Sequence, residues 1–332
     1  MPENKLYPPE GLRPPVPLSL SDLKEALESG TILEAPVQRC DVEHTLHLSL
    51  GSVQGRISRE DAVAPWISGS ERDIAVLSRV GKSTCFTVTA LEADEKGAPV
   101  ARLSRRAAQE KAMDDFLRHL SPGSLLTGRI TRLETFGAFV DVGCGIIAML
   151  PIEHISVSRI SHPKERFQVG QKVLTAVWSL DRETKRITLT HRELLGTWLE
   201  NASRFRPGET VRGIVRTVKD YGSFIELAPN LSGLADAKER LLPGDGVSVY
   251  IKSIRPERMK VKLQVIEKLP PAQPEPIRYQ ITDGKLEHWI YSPPDYEKTP
   301  VETVFTAPSP FPVGFCRLFG FVLSPLVIFH AL

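Results

Sequence analysis

Apolar residues recur along this chain in short alternating runs. Leu46, Leu48 and Leu50 alternate with His47 and Ser49, Ile187 and Leu189 follow Arg186 in the same rhythm, and Val261 and Leu263 follow Lys260. A period of two buries one face of a strand and leaves the other outside, so Arg186 and Lys260 are predicted to point outward. Further strands are expected at Gly55–Ser58, Cys85–Thr89 and Ala101–Arg106. Helical spacing is confined to short stretches. Ser21–Gly30 offers a capping residue, apolar positions at helical intervals and a terminal glycine; Ala107–Leu120 is rich in helix formers and stops at Ser121-Pro122-Gly123; Glu193–Asn201 precedes Pro207-Gly208. The pattern predicts strands in groups, separated by brief helices.

The groups repeat. Glu134-Thr135-Phe136-Gly137-Ala138-Phe139-Val140-Asp141 returns 85 residues later as Lys219-Asp220-Tyr221-Gly222-Ser223-Phe224-Ile225-Glu226, and Gly123 and Gly128 return as Gly208 and Gly213 at the same interval. Gly170 and Gly244 lie only 74 apart, so the earlier copy carries an insertion, Ser156–Pro163, and Arg159, His162, Lys164 and Arg166 concentrate in and beside it. Two readings stand open there: a solvated loop, and a set of phosphate contacts that would be salt-dependent and indifferent to base. A worn third copy precedes both, with strands at Leu46–Gly51 and Gly55–Ser58 but no aromatic residue between Gly30 and Gly55. The expected divisions are a Pro-rich leader (1–20), a degenerate first repeat (21–107), a helical linker (108–121), a second repeat (122–194), a linker (195–206), a third repeat (207–267) and a C-terminal extension (268–332).

The second and third copies carry the residues from which a family can be read. Gly-x-Ile/Val strands, the Phe/Tyr-Gly-Ala/Ser-Phe-Val/Ile run, Gly170-Gln171-Lys172-Val173, Asp181 and Arg186-Ile187-Thr188-Leu189-Thr190 together resemble the S-one RNA-binding domain, a five-stranded OB-type barrel named after a small-subunit ribosomal protein. The resemblance spans residues 20–267, strongest over 122–267. It implies an all-β fold of tandem five-stranded OB-fold barrels joined by short helical linkers. It also implies a protein of the short bacterial ribosomal type, which holds single-stranded mRNA near the small ribosomal subunit in the cytoplasm during translation. A non-ribosomal RNA-binding regulator, or an accessory factor of RNA decay, needs the same surface and remains the alternative.

Within that reading the aromatics Phe136, Phe139, Tyr221 and Phe224 are the expected base-stacking set, since flat rings beside glycine and a small residue form a platform that tolerates any base. Arg186, Lys260, Arg159 and Lys164 are the expected phosphate or base contacts. A buried aromatic would be the ordinary role of a lone Phe in such a barrel. The resemblance fails at one point: where many members carry a contact histidine, this chain reads Ala148-Met149-Leu150-Pro151 and Gly233-Leu234-Ala235-Asp236, leaving His154 as a distant substitute expected at the surface.

Composition adds exclusions. The net charge of +2 is too small to mark a nucleic-acid binder, but its placement is uneven: ten Lys/Arg against eleven Asp/Glu over 26–107, ten against six over 122–192, and ten against seven over 207–265. The first repeat, acidic and without the aromatic run, is therefore expected to bind protein and not RNA. Cys40, Cys85, Cys144 and Cys316 are scattered, with no zinc spacing or disulfide framework, and no nucleophile elbow, phosphate loop or metalloprotease motif is present, so neither catalysis nor a cofactor or metal is expected. In the extension, Arg278–Ile281 and Trp289–Tyr291 suggest one or two added strands. The apolar end contains Leu318–Phe329, twelve residues with Pro325, too short for stable membrane insertion.

Overall fold

The computed structural model describes residues 7–12, 14, 16–67, 69–95, 97–236, 241–270 and 277–305. The apolar end from Phe311 to Leu332 lies outside the described residues. The first group of elements is α1 (Leu20–Ser29), β1 (Leu33–Cys40), β2 (Leu46–Ser49), β3 (Gln54–Ile57), α2 (Asp73–Leu77), β4 (Ser83–Ala93), β5 (Pro99–Ser104) and α3 (Arg105–His119). The second is β6 (Leu125–Glu134), β7 (Gly137–Asp141), β8 (Ile147–Pro151), β9 (Lys172–Asp181) and β10 (Arg186–Thr190), followed by α4 (Trp198–Ala202). The third is β11 (Thr210–Lys219), β12 (Gly222–Ala228), β13 (Leu231–Ala235), β14 (Gly246–Arg255) and β15 (Lys260–Leu269), after which β16 (His288–Ile290) and β17 (Glu302–Val304) form a two-stranded ribbon.

Each group of five strands closes into a barrel with one topology. The first three strands form a meander, the third pairs in parallel with the fifth, and the fourth joins the fifth to the first. The alternation read from sequence sets the inside: Leu46, Leu48 and Leu103 fill barrel 1, Val140, Ile187 and Leu189 barrel 2, and Ile225, Val261 and Leu263 barrel 3, all nearly inaccessible. Removing such side chains from water stabilises by roughly 1.5–3 kcal/mol each. The chain is thus all-β, as tandem five-stranded barrels with few short helices. Helix α1 starts two residues earlier than its spacing suggests, because Ser19 accepts from the Asp22 N–H while the Asp22 carboxylate accepts from the Ser19 N–H at 2.7 Å.

The segments expected to be spacers are packed. On α3, Ala108, Ala112, Met113 and Phe116 are buried and join the barrel 2 core, so the helix fixes barrel 1 to barrel 2. The leader is pinned there too. Glu10 is buried, and its carboxylate accepts from Arg105 Nε (2.8 Å) and Nη2 (3.0 Å), from Arg79 Nη1 (2.9 Å) and from the Cys85 N–H (3.1 Å). Its own N–H donates to Asp141 Oδ2 at 2.9 Å, and its carbonyl accepts from Arg129 Nη1 at 3.0 Å. Burial pushes the Glu10 carboxyl up, but the Arg105 and Arg79 guanidiniums more than reverse this and hold it below its ordinary value. Asp141 accepts the N–H groups of Glu10 and Gly143, each at 2.9 Å, but burial, then the charge of Glu10, outweigh these bonds and the charge of Arg105 and push its carboxyl up to about 7.

Barrels 2 and 3 are joined by the insertion. Ser158 donates its N–H to the Pro229 carbonyl at 3.0 Å and meets Ser232 Oγ at 2.7 Å, and the Val157 N–H donates to Asn230 Oδ1 at 3.0 Å. Beneath lies a buried cluster in which Glu226 accepts from Arg166 Nη2 (2.5 Å) and Arg216 Nε (2.6 Å), while Arg216 also pairs with Glu165. Of the four basic residues concentrated around the insertion, Arg166 is therefore structural, His162 caps a short turn by accepting from the Lys164 N–H, and only Arg159 and Lys164 are exposed. The solvated-loop reading fails at Val157 and Ser158, whose N–H groups are satisfied by barrel 3, while Arg159, Ser161 and Lys164 remain exposed.

The extension binds this junction from outside. The Leu286 N–H donates to the Gly123 carbonyl, the Trp198 N–H donates to the Tyr291 carbonyl, and the Tyr291 hydroxyl donates to the Asn230 carbonyl at 2.6 Å. A Cβ at position 123 would lie 1.7 Å from the Leu286 oxygen, so glycine is required for this approach. The strand expected at Trp289–Tyr291 forms as β16, but Arg278–Ile281 does not pair as a strand: the Gln280 N–H donates to the Leu194 carbonyl, and the Tyr279 hydroxyl accepts from the Leu174 N–H.

Glu10→Ala leaves Arg105 buried without its charge partner and is expected to cost about 3–5 kcal/mol in denaturant unfolding. Adding Arg105→Met should recover most of that loss; an unperturbed single variant would show that the leader is not anchored through this pair.

Candidate nucleic-acid interface

Barrel register brings Phe139 and Phe224 to matching outer rows on two barrels. In barrel 2 the row runs Arg132, Phe139, Met149, Thr188, Ser179 across β6, β7, β8, β10 and β9. In barrel 3 the matching row is Thr217, Phe224, Leu234, Lys262, Ser253. A bulge in β6 and in β11, immediately before the row, sets the same register in both. Phe139 and Phe224 thus occupy equivalent places, each half-buried on the outer face between inward neighbours: Ala138 and Val140 in one, Ser223 and Ile225 in the other. Neither ring belongs to a buried core cluster.

Phe136 and Tyr221, in the turns before these strands, are 54% and 65% exposed. Each meets its partner edge to face: Phe136 and Phe139 with centroids 6.0 Å apart at 89°, Tyr221 and Phe224 with centroids 6.3 Å apart at 87°. This arrangement suits the ring quadrupoles and holds one ring of each pair upright with its faces in solvent. The glycines inside the aromatic runs have a reason beyond small bulk. A Cβ on Gly137 would lie 2.4 Å from the Leu150 oxygen, and one on Gly222 would lie 2.4 Å from the Ala235 oxygen, so each lets the next strand pass beside the turn.

Arg186 and Lys260 are exposed at the starts of β10 and β15, opposite Asp181 and Arg255 respectively. They lie two residues before Thr188 and Lys262, on the same face. Arg159 and Lys164 are exposed on the insertion and are not brought into the row. Asp181 closes its own turn, accepting from the Glu183 and Thr184 N–H groups and the Thr184 hydroxyl. Sequence reasoning missed Arg132, whose guanidinium sits 4.4 Å from the Phe139 centroid, and Lys262, which stands in the row itself. The cross-strand register could have found Arg132 only if the β6 bulge had been known. Lys262 was visible as a second alternating cation after Lys260.

His154 is half-buried, short of the open surface position expected. It packs edge to face on Trp178 with centroids 4.3 Å apart, and among the described residues its Nδ1 is buried without a hydrogen-bond partner. Burial, then the nearby Arg192 charge, lower its pKa to about 4; His191, wholly enclosed, is likewise lowered to about 4 by burial. Among the described residues no group of His, Cys, Asp and Glu could hold a metal ion, and no helix is long and apolar enough to cross a membrane.

A histidine whose folded pKa lies below its unfolded value of about 6.5 binds its proton on unfolding, so its stabilising effect is lost as pH falls from about 6.5 toward 4. Comparing urea unfolding at pH 7 and 5, His154→Phe should shrink the acid-induced loss by about 1–2 kcal/mol. An unchanged difference would place His154 in water.

The S1 RNA binding domain family matches residues 120–192, which is barrel 2. Small ribosomal subunit protein bS1 of Staphylococcus aureus (strain COL) is 32% identical over 184 residues, covering 51% of this chain and 47% of that protein. The bS1 protein of Leuconostoc lactis is 34% identical over 186 residues, 51% of this chain and 43% of its own. The chain thus spans about half the length of these two relatives. The bS1 homolog of Bacillus subtilis (strain 168) is 30% identical over 275 residues, 77% of this chain and 69% of that protein. Shared sequence over that extent, carried on three barrels of one topology, shows that the chain belongs to the small ribosomal subunit protein bS1 family.

Proposed function

We propose that this chain holds single-stranded RNA across the outer rows of barrels 2 and 3, at the small ribosomal subunit during translation in the cytoplasm. The observation that carries the reading is the duplicated edge-to-face pair, Phe136 with Phe139 and Tyr221 with Phe224, at equivalent register on two barrels. Bases stack on the open faces of Phe136 and Tyr221 and extend toward Phe139 and Phe224; the Arg132 guanidinium over Phe139 adds a planar cation on which a base also stacks. Arg186 and Lys260, exposed on the same face as the rows, and Lys262 within one of them contact phosphate, while Arg159 and Lys164 supply contacts from the insertion. The chemistry is capture, not bond breaking: rings and cations line the rows, and no residue there is placed as a nucleophile with its base.

The two barrels are locked by the Arg166, Arg216, Glu165 and Glu226 cluster, so the strand meets a surface of fixed spacing and loses less freedom when the second barrel engages. Likeness of barrel 2 to the S1 RNA binding domain supports RNA as the ligand. A free RNA-binding regulator would use the same rows, and sedimentation of the chain with small ribosomal subunits through a sucrose gradient separates the two readings.

Base stacking contributes about 1–3 kcal/mol per base by alanine substitution, so Phe139→Ala with Phe224→Ala should weaken binding of an unstructured RNA by roughly 2–6 kcal/mol if the sites act independently. The melting temperature of the double variant should stay close to that of the parent, since neither ring lies in a core cluster. Collapse of the fold would assign the rings to the core; retained affinity would remove them from the site.

A further inference from the structure

The outer row of barrel 1 carries a different chemistry in the same register. A bulge in β1 precedes it, as in β6 and β11, and the row then runs Arg39, His47, Arg56, Arg102, Ala90 across β1, β2, β3, β5 and β4. His47 stands where the other barrels have Phe139 and Phe224, Arg56 where they have Met149 and Leu234, and Arg102 where they have Thr188 and Lys262. We propose that this row is a further RNA-binding site, a guanidinium ladder that takes the phosphodiester backbone without stacking bases; it rests on the RNA reading of barrels 2 and 3.

The charge count over the first repeat, which predicts repulsion of phosphate, conceals this placement. Arg39, Arg56 and Arg102 are all exposed. Two carboxylates border the row. Asp41 Oδ2 lies 2.7 Å from His47 Nε2 and Glu92 Oε1 accepts from Arg102 Nη1 at 3.3 Å, while Arg39 Nη2 lies 3.4 Å from His47 Nδ1. Among the described residues Arg56, at the centre, has no carboxylate partner and its charge faces solvent. Adjacent strands are roughly 4.8 Å apart, so Arg56 and Arg102 on neighbouring strands present two planar forks side by side, suited to anionic oxygens. The row has no aromatic or large apolar side chain to anchor a peptide, which favours a polyanion over an acidic protein surface. Contacts of this kind add affinity without choosing sequence and are read through salt.

The test uses the full chain with labelled oligouridylate and oligoadenylate, each titrated across a salt series. Arg56→Gln with Arg102→Gln should reduce the slope of log affinity against log salt by about 1.4, at about 0.7 per phosphate contact on a single strand, and should weaken both oligonucleotides by the same factor. Arg56→Lys with Arg102→Lys should restore the slope. Arg72→Gln with Arg106→Gln, off the row, should leave it unchanged, and melting temperatures check that all variants fold. A parent slope in the Gln variant, or an equal fall in the off-row control, overturns the ladder while leaving the aromatic rows intact. Unchanged RNA binding with lost sedimentation alongside small ribosomal subunits would make the row a protein-docking face and also overturns it. A parent chain that binds neither oligonucleotide defeats the whole RNA reading.

Discussion

Closing five strands into a barrel decides which side chains can meet on its outside. Once strand 3 pairs with strand 5 and strand 4 with strand 1, inward positions are filled by residues such as Val140, Ile187 and Leu263, and the positions between them form continuous outer rows. The bulge in the first strand sets where such a row begins, and it recurs in all three barrels. The chain has varied the row and kept the frame: a ring and one cation in each row of barrels 2 and 3, arginines and a histidine in barrel 1.

The barrels would be independent beads if α3, the insertion and the extension only connected them. Buried charge prevents this. Glu10 with Arg105 and Arg79 sits between barrels 1 and 2, and Glu226 with Arg216 and Arg166 sits between barrels 2 and 3. Each cluster is costly to assemble in a low-dielectric interior and more costly to break, so it specifies one arrangement more than it adds net stability. Rows on successive barrels keep a fixed relation for that reason.

The barrels were legible in the sequence because each strand announces itself locally, through alternation and through the repeated Phe/Tyr-Gly-Ala/Ser-Phe run. The outward Arg186 and Lys260 follow from the same period of two. What escaped was long-range. Glu10 reads as one more residue in a proline-rich leader, although its partners lie 69 and 95 positions away. Ser158 and Arg166 read as polar loop residues because barrel 3, which satisfies them, is remote in sequence. The arginine row of barrel 1 was hidden differently: a charge total averages over faces, and only the strand register shows that Arg39, Arg56 and Arg102 share one.

The central claim is that one RNA strand lies across the rows of barrels 2 and 3, and photocrosslinking of a thiouridine-substituted oligonucleotide to the full chain tests it most directly. The account predicts that a single bound oligonucleotide gives adducts in both 129–141 and 216–226, at Phe136, Phe139, Tyr221 or Phe224, and that unlabelled RNA competes them together. Adducts confined to other surfaces, such as the extension at 277–305, would contradict it.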